Sequence, residues 1–147
     1  MLVRHGESKV TVRRVIGGHR TCDGLSELGV RQADRLAARL AETGEIAADR
    51  LLSSHYQRAI ETAEALSPAL GLPVEIDAAL GEHDPGPELD GMGFADYVER
   101  YGTPDWNGDP HTQLFPGGET TAEFHLRIGA ALSRLVRESV GKTVVVC

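Results

Sequence analysis

Hydrophobic positions along this chain alternate between two periods. Between Ser26 and Gly44 they fall at Ala33, Leu36, Ala37 and Leu40, the i, i+3, i+4, i+7 spacing of one helical face. Ser26 is placed to cap that helix and Gly44 to end it. Tyr56, Ala59, Ile60, Ala63 and Leu66 repeat the pattern, and Pro68 with Gly71 should stop the second helix. A capping box, Thr120-x-x-Glu123, precedes a third apolar face at Ile128, Leu132, Leu135 and Val136, with His125 on the same helix and Gly141 closing it. Between these helices lie short strand candidates at residues 49–54 and 73–76, and residues 1–4 read as the stub of another, running into a loop at His5-Gly6. Residues 143–147 form an apolar, β-branched run typical of a buried central strand. Strands alternating with helices predict an α/β fold: a three-layer α/β/α sandwich with a mostly parallel sheet. In such sheets chemistry gathers at the carboxyl ends of the strands. Here those ends are His5, residues 54–58, the stretch after Ile76, and whatever follows Cys147.

Residues 81–118 break the pattern. They are rich in Gly, Pro and Asp, with one short helix predicted over Phe94–Tyr101, and read as a long functional loop region outside the core. There is no internal repeat, low-complexity stretch or linker. A chain of 147 residues, 41% hydrophobic and 25% charged, is sized for one domain, residues 1–147. Its 22 acidic against 15 basic residues give a net charge of -7. That balance disfavours nucleic acid and anionic membranes as partners, so an anionic substrate must be met by a local cluster of Arg and His. No apolar run approaches the roughly 18–20 residues needed to cross a bilayer. The N-terminus lacks a basic region followed by an apolar one, so a cytoplasmic protein is expected. Cys22 and Cys147 are too few and too far apart for a metal cluster or a disulfide framework.

The strongest chemical signal is Arg4-His5-Gly6-Glu7 at the end of the first strand candidate. Phosphoryl transfer through histidine needs an unprotonated ring nitrogen facing phosphorus, with the other N–H held by an acceptor. It also needs guanidinium groups to grip the phosphate oxygens. A solvated Arg beside a surface His would give the same tripeptide, so these residues alone leave both readings open. Ser53-Ser54-x-x-x-Arg58-Ala59-x-x-Thr62-Ala63 adds an Arg in the first turn of a helix that starts at a strand's carboxyl end, where phosphate is favoured twice over. A solvent-facing Arg58 is the alternative.

Together these segments resemble the histidine phosphatase superfamily, the phosphoglycerate-mutase-like proteins, over the whole chain. Leu2-Val3-Arg4-His5-Gly6-Glu7-Ser8 is similar to the family's signature around its phosphorylated histidine. Leu25-Ser26-Glu27-Leu28-Gly29 with Gln32-Ala33, and the Ser53 to Ala63 block, resemble its next two motifs. Leu80-Gly81-Glu82 followed by Gly86 resembles the segment with the acidic proton donor, and Pro116-Gly117-Gly118-Glu119-Thr120 with Arg127 a later element. The resemblance implies that His5 is the nucleophile, that Arg4 and Arg58 hold the phosphoryl group, and that Glu82 is the general acid and later base. A carboxyl that donates near neutral pH needs surroundings that favour its neutral form, so partial burial or a nearby carboxylate is expected at Glu82. Glu7 is expected to brace Arg4, and Ser8 to cap the loop.

Two departures accompany the resemblance. Many relatives carry Asn six residues after the catalytic His as a phosphate contact; here Thr11 takes that place, with a shorter donor. The family's last central strand runs into a second histidine, so the chain is expected to continue beyond Cys147 with His next, residues 1–147 being a domain shortened at its C-terminus. Ending there, the strand should leave Val144 and Val146 exposed. The spacings of His55, His83, His111 and His125 match no metal-ligand pattern, and the implied chemistry needs no metal or other cofactor. The reading is a cofactor-independent phosphomonoesterase acting on a phosphorylated small molecule, with a second copy of the chain as the other candidate partner. Phosphoglycerate-mutase-type transfer is the alternative, although mutases are longer between the acid and the Pro-Gly-Gly-Glu element. A catalytically impaired, phospho-ligand-binding member is the third reading. Substrate choice is assigned to residues 83–115.

Overall fold

The computed structural model describes residues 1–147. Three parallel strands, β1 (Arg50–Ser53), β2 (Val74–Ile76) and β3 (Val144–Val146), lie in the order β2-β1-β3. Leu51 stands opposite Val74 on one side and Val145 on the other. Beyond β3 the N-terminal segment runs parallel to it, with Val3 N donating to Val146 O at 2.8 Å and Val146 N to Met1 O at 3.0 Å. The expected first strand is thus reduced to a single bridge, Leu2 to Val146. Because these segments share one direction, residues 5, 54, 77 and 147 all emerge along one edge of the sheet.

Consecutive strand residues point to opposite faces, and this sets the layers. Leu51 joins Ala63 and Val145 in one buried cluster; Leu52 joins Leu135 and Val146 in another. The first is covered by α3 (Gln57–Leu70), with α2 (Glu27–Thr43) packed against it; the second is covered by α6 (Thr121–Glu138). Ser26 caps α2 by accepting from Gly29 N, and the Thr120–Glu123 capping box of α6 is complete in both directions. Val146, expected to be exposed, is buried beneath Leu135, and exposed apolar surface lies instead on Leu2, Val136 and Val140.

Helix α3 does not stop at Pro68. It continues to Leu70 and ends at Gly71, whose φ of 66° is left-handed. So near the helix end, a proline removes one N–H of the last turn and leaves the rest intact. A short helix, α1 (Lys9–Arg13), follows the His5 loop, capped by Ser8, and five residues are too few to show a period in the sequence. The 81–118 region holds α4 (Gly86–Leu89) and α5 (Phe94–Tyr101), the latter as predicted. It is not coreless. Ile16, Leu89, Tyr97 and Phe115 form a buried cluster of their own, and these residues come from segments too far apart for any periodicity to join them.

That small core is fastened by Asp90. Its buried carboxylate accepts from Gly18 N at 2.8 Å, Arg20 N at 2.7 Å and Thr21 N at 3.3 Å, and from the Thr21 hydroxyl. Burial alone would raise the Asp90 pKa, but these donors outweigh it and hold the carboxyl below its ordinary value. Asp90→Ala leaves the buried Gly18 N–H without an acceptor, at about 1–3 kcal/mol, and frees the part-buried Arg20 and Thr21 N–H groups as well. We expect a thermal midpoint many degrees lower than the wild type's, measured by calorimetry; an unchanged midpoint would mean that water satisfies the loop unaided.

Candidate active site

His5 leaves the N-terminal segment at the sheet edge, and its loop is pressed against both α2 and α3. Gly6 N donates to Thr62 Oγ1 at 3.1 Å. A Cβ at Gly6 would stand 2.5 Å from the Gly29 carbonyl oxygen, so only glycine lets the loop approach the first turn of α2 this closely. The imidazole is oriented by Nδ1, 2.7 Å from Gly6 O. A carbonyl can only accept, so Nδ1 carries the hydrogen and the Nε2 lone pair is free. Consistent with that tautomer, Arg58 Nε donates to His5 Nε2 at 3.2 Å. Burial, followed by the nearby Arg58 and Arg4 charges, pulls the His5 pKa below its ordinary value against the opposing Gly6 bond. The ring is therefore neutral at neutral pH, with Nε2 unprotonated.

Arg58 occupies the first turn of α3, its side chain only 5% exposed. Each guanidinium nitrogen has its own partner: Nε faces His5, Nη1 donates to Cys22 Sγ at 3.2 Å, and Nη2 donates to Glu82 Oε2 at 2.7 Å. The fork lies over the ring of Tyr56, 4.3 Å from its centroid. Glu82 follows the 3₁₀ turn Ala78–Leu80, and its backbone is held from α6. Arg127 Nη1 donates to Ala79 O at 3.0 Å and Gly81 O at 2.9 Å, and Nη2 to Glu82 O at 3.3 Å. Glu119 pairs with Arg127 and also accepts from Asp84 N at 3.1 Å, closing a bracket around the acidic loop. The burial expected at Glu82 is not found. Its side chain is 66% exposed, and its close charged neighbour is a cation.

Two cavities meet at His5. One, about 200 Å³, is lined by Arg4, His5, Tyr56, Arg58, Glu82 and Cys147 among others; the second, about 310 Å³, has no hydrophobic residue in its lining. Arg4, His5, Gly6, Glu7, Thr11 and Gln32 line the second. His5 and Glu82 are thus joined through Arg58, Arg4 borders both cavities, and Thr11 borders only the second. The Thr11 hydroxyl lies 2.8 Å from Ser8 Oγ, within the cap of α1. Glu7 does not brace Arg4: its carboxylate accepts from Ser26 Oγ at 2.7 Å, tying the loop to the cap of α2. Cys22 and Tyr56 were not legible as site residues, since a thiol and an aryl face reveal themselves only through contact. The remaining histidines are dispersed: His55 stacks near His19, with centroids 4.7 Å apart, and His83 lies between Phe115 and Phe124. No three metal-capable side chains converge.

An imidazole lone pair and an exposed carboxylate thus share one buried guanidinium at the sheet edge, an arrangement able to receive the oxygens of a phosphate. The model of the histidine phosphatase superfamily, branch 1, matches residues 1–147. The chain belongs to that superfamily. Over 150 residues it is 36% identical to the bifunctional protein Rv2228c of Mycobacterium tuberculosis, covering 99% of this chain and 39% of that one. It is 33% identical to human 6-phosphofructo-2-kinase/fructose-2,6-bisphosphatase 1, covering 99% of this chain and 29% of that one. The chain therefore spans less than half the length of these curated relatives. Among solved structures it superposes on the mycobacterial glucosyl-3-phosphoglycerate phosphatase Rv2419c in complex with VO3 at 25% identity and a TM-score of 0.83, covering 99% of this chain and 71% of that one. The alpha-ribazole phosphatase of Shigella flexneri gives 25% identity and a TM-score of 0.79, over 99% and 70% of the two chains. These superpositions agree with the three-layer α/β fold.

Proposed function

We propose that this superfamily member is a phosphomonoesterase that hydrolyses a phosphorylated small molecule through a phosphohistidine at His5. The observation that carries the reading is the position of Arg58, whose guanidinium bonds both the His5 lone pair and the Glu82 carboxylate. A phosphate entering between them would take the Arg58 and Arg4 N–H groups onto its oxygens. His5 Nε2 attacks phosphorus as the ester P–O bond breaks, and the protonated form of Glu82 gives the departing oxygen its proton. Water then attacks the phosphohistidine, Glu82 takes a proton from that water, the N–P bond breaks, and inorganic phosphate leaves. The solvent exposure of Glu82 favours hydrolysis over mutase-type transfer, because water has open access to the second step. Curated and structural relatives named for sugar-phosphate substrates support a phosphorylated metabolite as the substrate class. Turnover of a panel of sugar and aryl phosphates, with trapping of acid-labile, base-stable label on the protein, tests the proposal. A protein that binds these esters without releasing phosphate would overturn it.

The pH dependence follows from the imidazole. Only unprotonated His5 attacks, so kcat/KM falls as pH drops through the His5 pKa. Burial, the largest cause, lowers that value from its ordinary 6.5. The acid limb of the kcat/KM profile is therefore expected to have its midpoint below pH 6.5. A midpoint above this would show that the free enzyme keeps His5 charged near neutrality. Because the fold disfavours the charged ring, His5 also withdraws stability as pH falls from its unfolded value toward its folded one.

A further inference from the structure

We propose that Cys22 is the positioning residue that keeps Arg58 aimed at the phosphoryl group, an inference that rests on the hydrolase reading above. Three of the four groups touching the Arg58 fork are side chains that accept its N–H bonds, and two of them change during the reaction. His5 Nε2 gives its lone pair to phosphorus, so Arg58 Nε loses that acceptor; Glu82 trades a proton with the leaving group and then with water. The thiol of Cys22 changes in neither step. It accepts from Arg58 Nη1 at 3.2 Å and from the Arg58 backbone N–H at 3.4 Å, so one sulfur fixes both the tip and the root of the side chain. That backbone N–H is one of the helix N-terminal donors that have no partner inside the helix.

The sulfur can serve as a fixed point because its own backbone is held on both sides. Thr21 is bound to the buried Asp90, and Asp23 is paired with Arg13 while its carbonyl accepts from Lys9 Nζ at 2.8 Å. Cys22 is 8% exposed and packs against Tyr56, whose ring carries the face of the same guanidinium. The side chain is therefore oriented by a weak acceptor and an aromatic face. The Cys22 sulfur directs the Nη1 and backbone N–H bonds from a position that does not take part in either proton transfer.

Cys22→Ser and Cys22→Val separate this role from packing, because serine keeps an acceptor at the position and valine keeps the volume. The expected result is a fall of about 10–100-fold in kcat/KM for Cys22→Val, the scale of a lost bond to a charged group, and near-wild-type kcat/KM for Cys22→Ser. Inhibition by orthovanadate should weaken by the same factor in the valine variant, since both readings depend on the same orientation of Arg58. Binding of inorganic phosphate, measured by calorimetry on the intact protein, should order the three proteins in the same way without any turnover. If Cys22→Val fails to fold, Cys22→Ala replaces it in each measurement. Equal losses in the serine and valine variants, or a valine variant with unchanged kcat/KM and phosphate affinity, would overturn the proposal and leave Cys22 as packing. A wild-type protein that binds phosphate yet hydrolyses no ester defeats the hydrolase reading, while the calorimetric order still decides for or against Cys22. A wild-type protein that does not bind phosphate defeats both.

Discussion

His5→Ala is expected to remove both phosphomonoester hydrolysis and covalent labelling, with a rate loss on the order of 10⁴-fold or more, as when the nucleophile of a covalent mechanism is deleted. His5 is not the only reactive group at the cavity. Cys147 lines it too, and thiolates are strong nucleophiles. Burial, however, pushes the Cys147 thiol up to about 11, so it stays protonated and inert near neutral pH. The guanidinium groups of Arg4 and Arg58 carry no usable lone pair. Among the nitrogen groups of the cavity His5 presents one, with its opposite nitrogen committed to the Gly6 carbonyl. Incubation with a ³²P-labelled ester, followed by rapid quench, distinguishes the outcomes. Label that is stable in base, lost in acid and absent from His5→Ala supports the nucleophile assignment. Label surviving the substitution would place the nucleophile elsewhere, and a slowed reaction with no label even in the wild type would make His5 a base that activates water.

How much of this was legible in the sequence depends on the range over which each feature acts. Helices α2 and α6 were readable because their caps and apolar faces are local, and Phe94–Tyr101, which has no side-chain cap, is also a short local element. The small core of Ile16, Leu89, Tyr97 and Phe115 was not, because its members meet only once the 14–21 loop is fastened to Asp90. Of the two stop signals Pro68 and Gly71, the helix ends at Gly71, where the backbone turns left-handed. Within the site, motif resemblance supplied His5, Arg58 and Glu82, and the structure joins His5 and Glu82 through Arg58. A motif supplies a residue but not the direction its side chain takes. Glu7 was therefore assigned to Arg4 although it binds Ser26, and Glu82 was expected to be buried although it is open to solvent. Cys22 left no signal at all, since its role depends on a loop anchored about 70 residues away in sequence, by Asp90.

Glu82→Gln carries the second large effect, and its size should depend on the leaving group. The amide keeps the shape of the side chain and an oxygen to accept from Arg58 Nη2, now 2.7 Å from the carboxylate, so the guanidinium should keep its place. What the amide cannot do is give up or take a proton. An alkoxide leaves as a strong base and needs that proton in the transition state; a nitrophenolate leaves readily without it. The expected loss is therefore roughly 10²–10⁴-fold on alkyl phosphates, the usual contribution of a general acid, and far smaller for the labelling step on aryl phosphates. Hydrolysis of the phosphohistidine still needs a base to receive a proton from water. With an aryl ester, Glu82→Gln should thus shift the slow step to dephosphorylation, seen as a burst of nitrophenolate followed by a slow steady state. Equal losses on alkyl and aryl esters with no burst would show that Glu82 serves only to hold Arg58 in place, and that the proton comes from another group or from solvent reaching this open carboxylate.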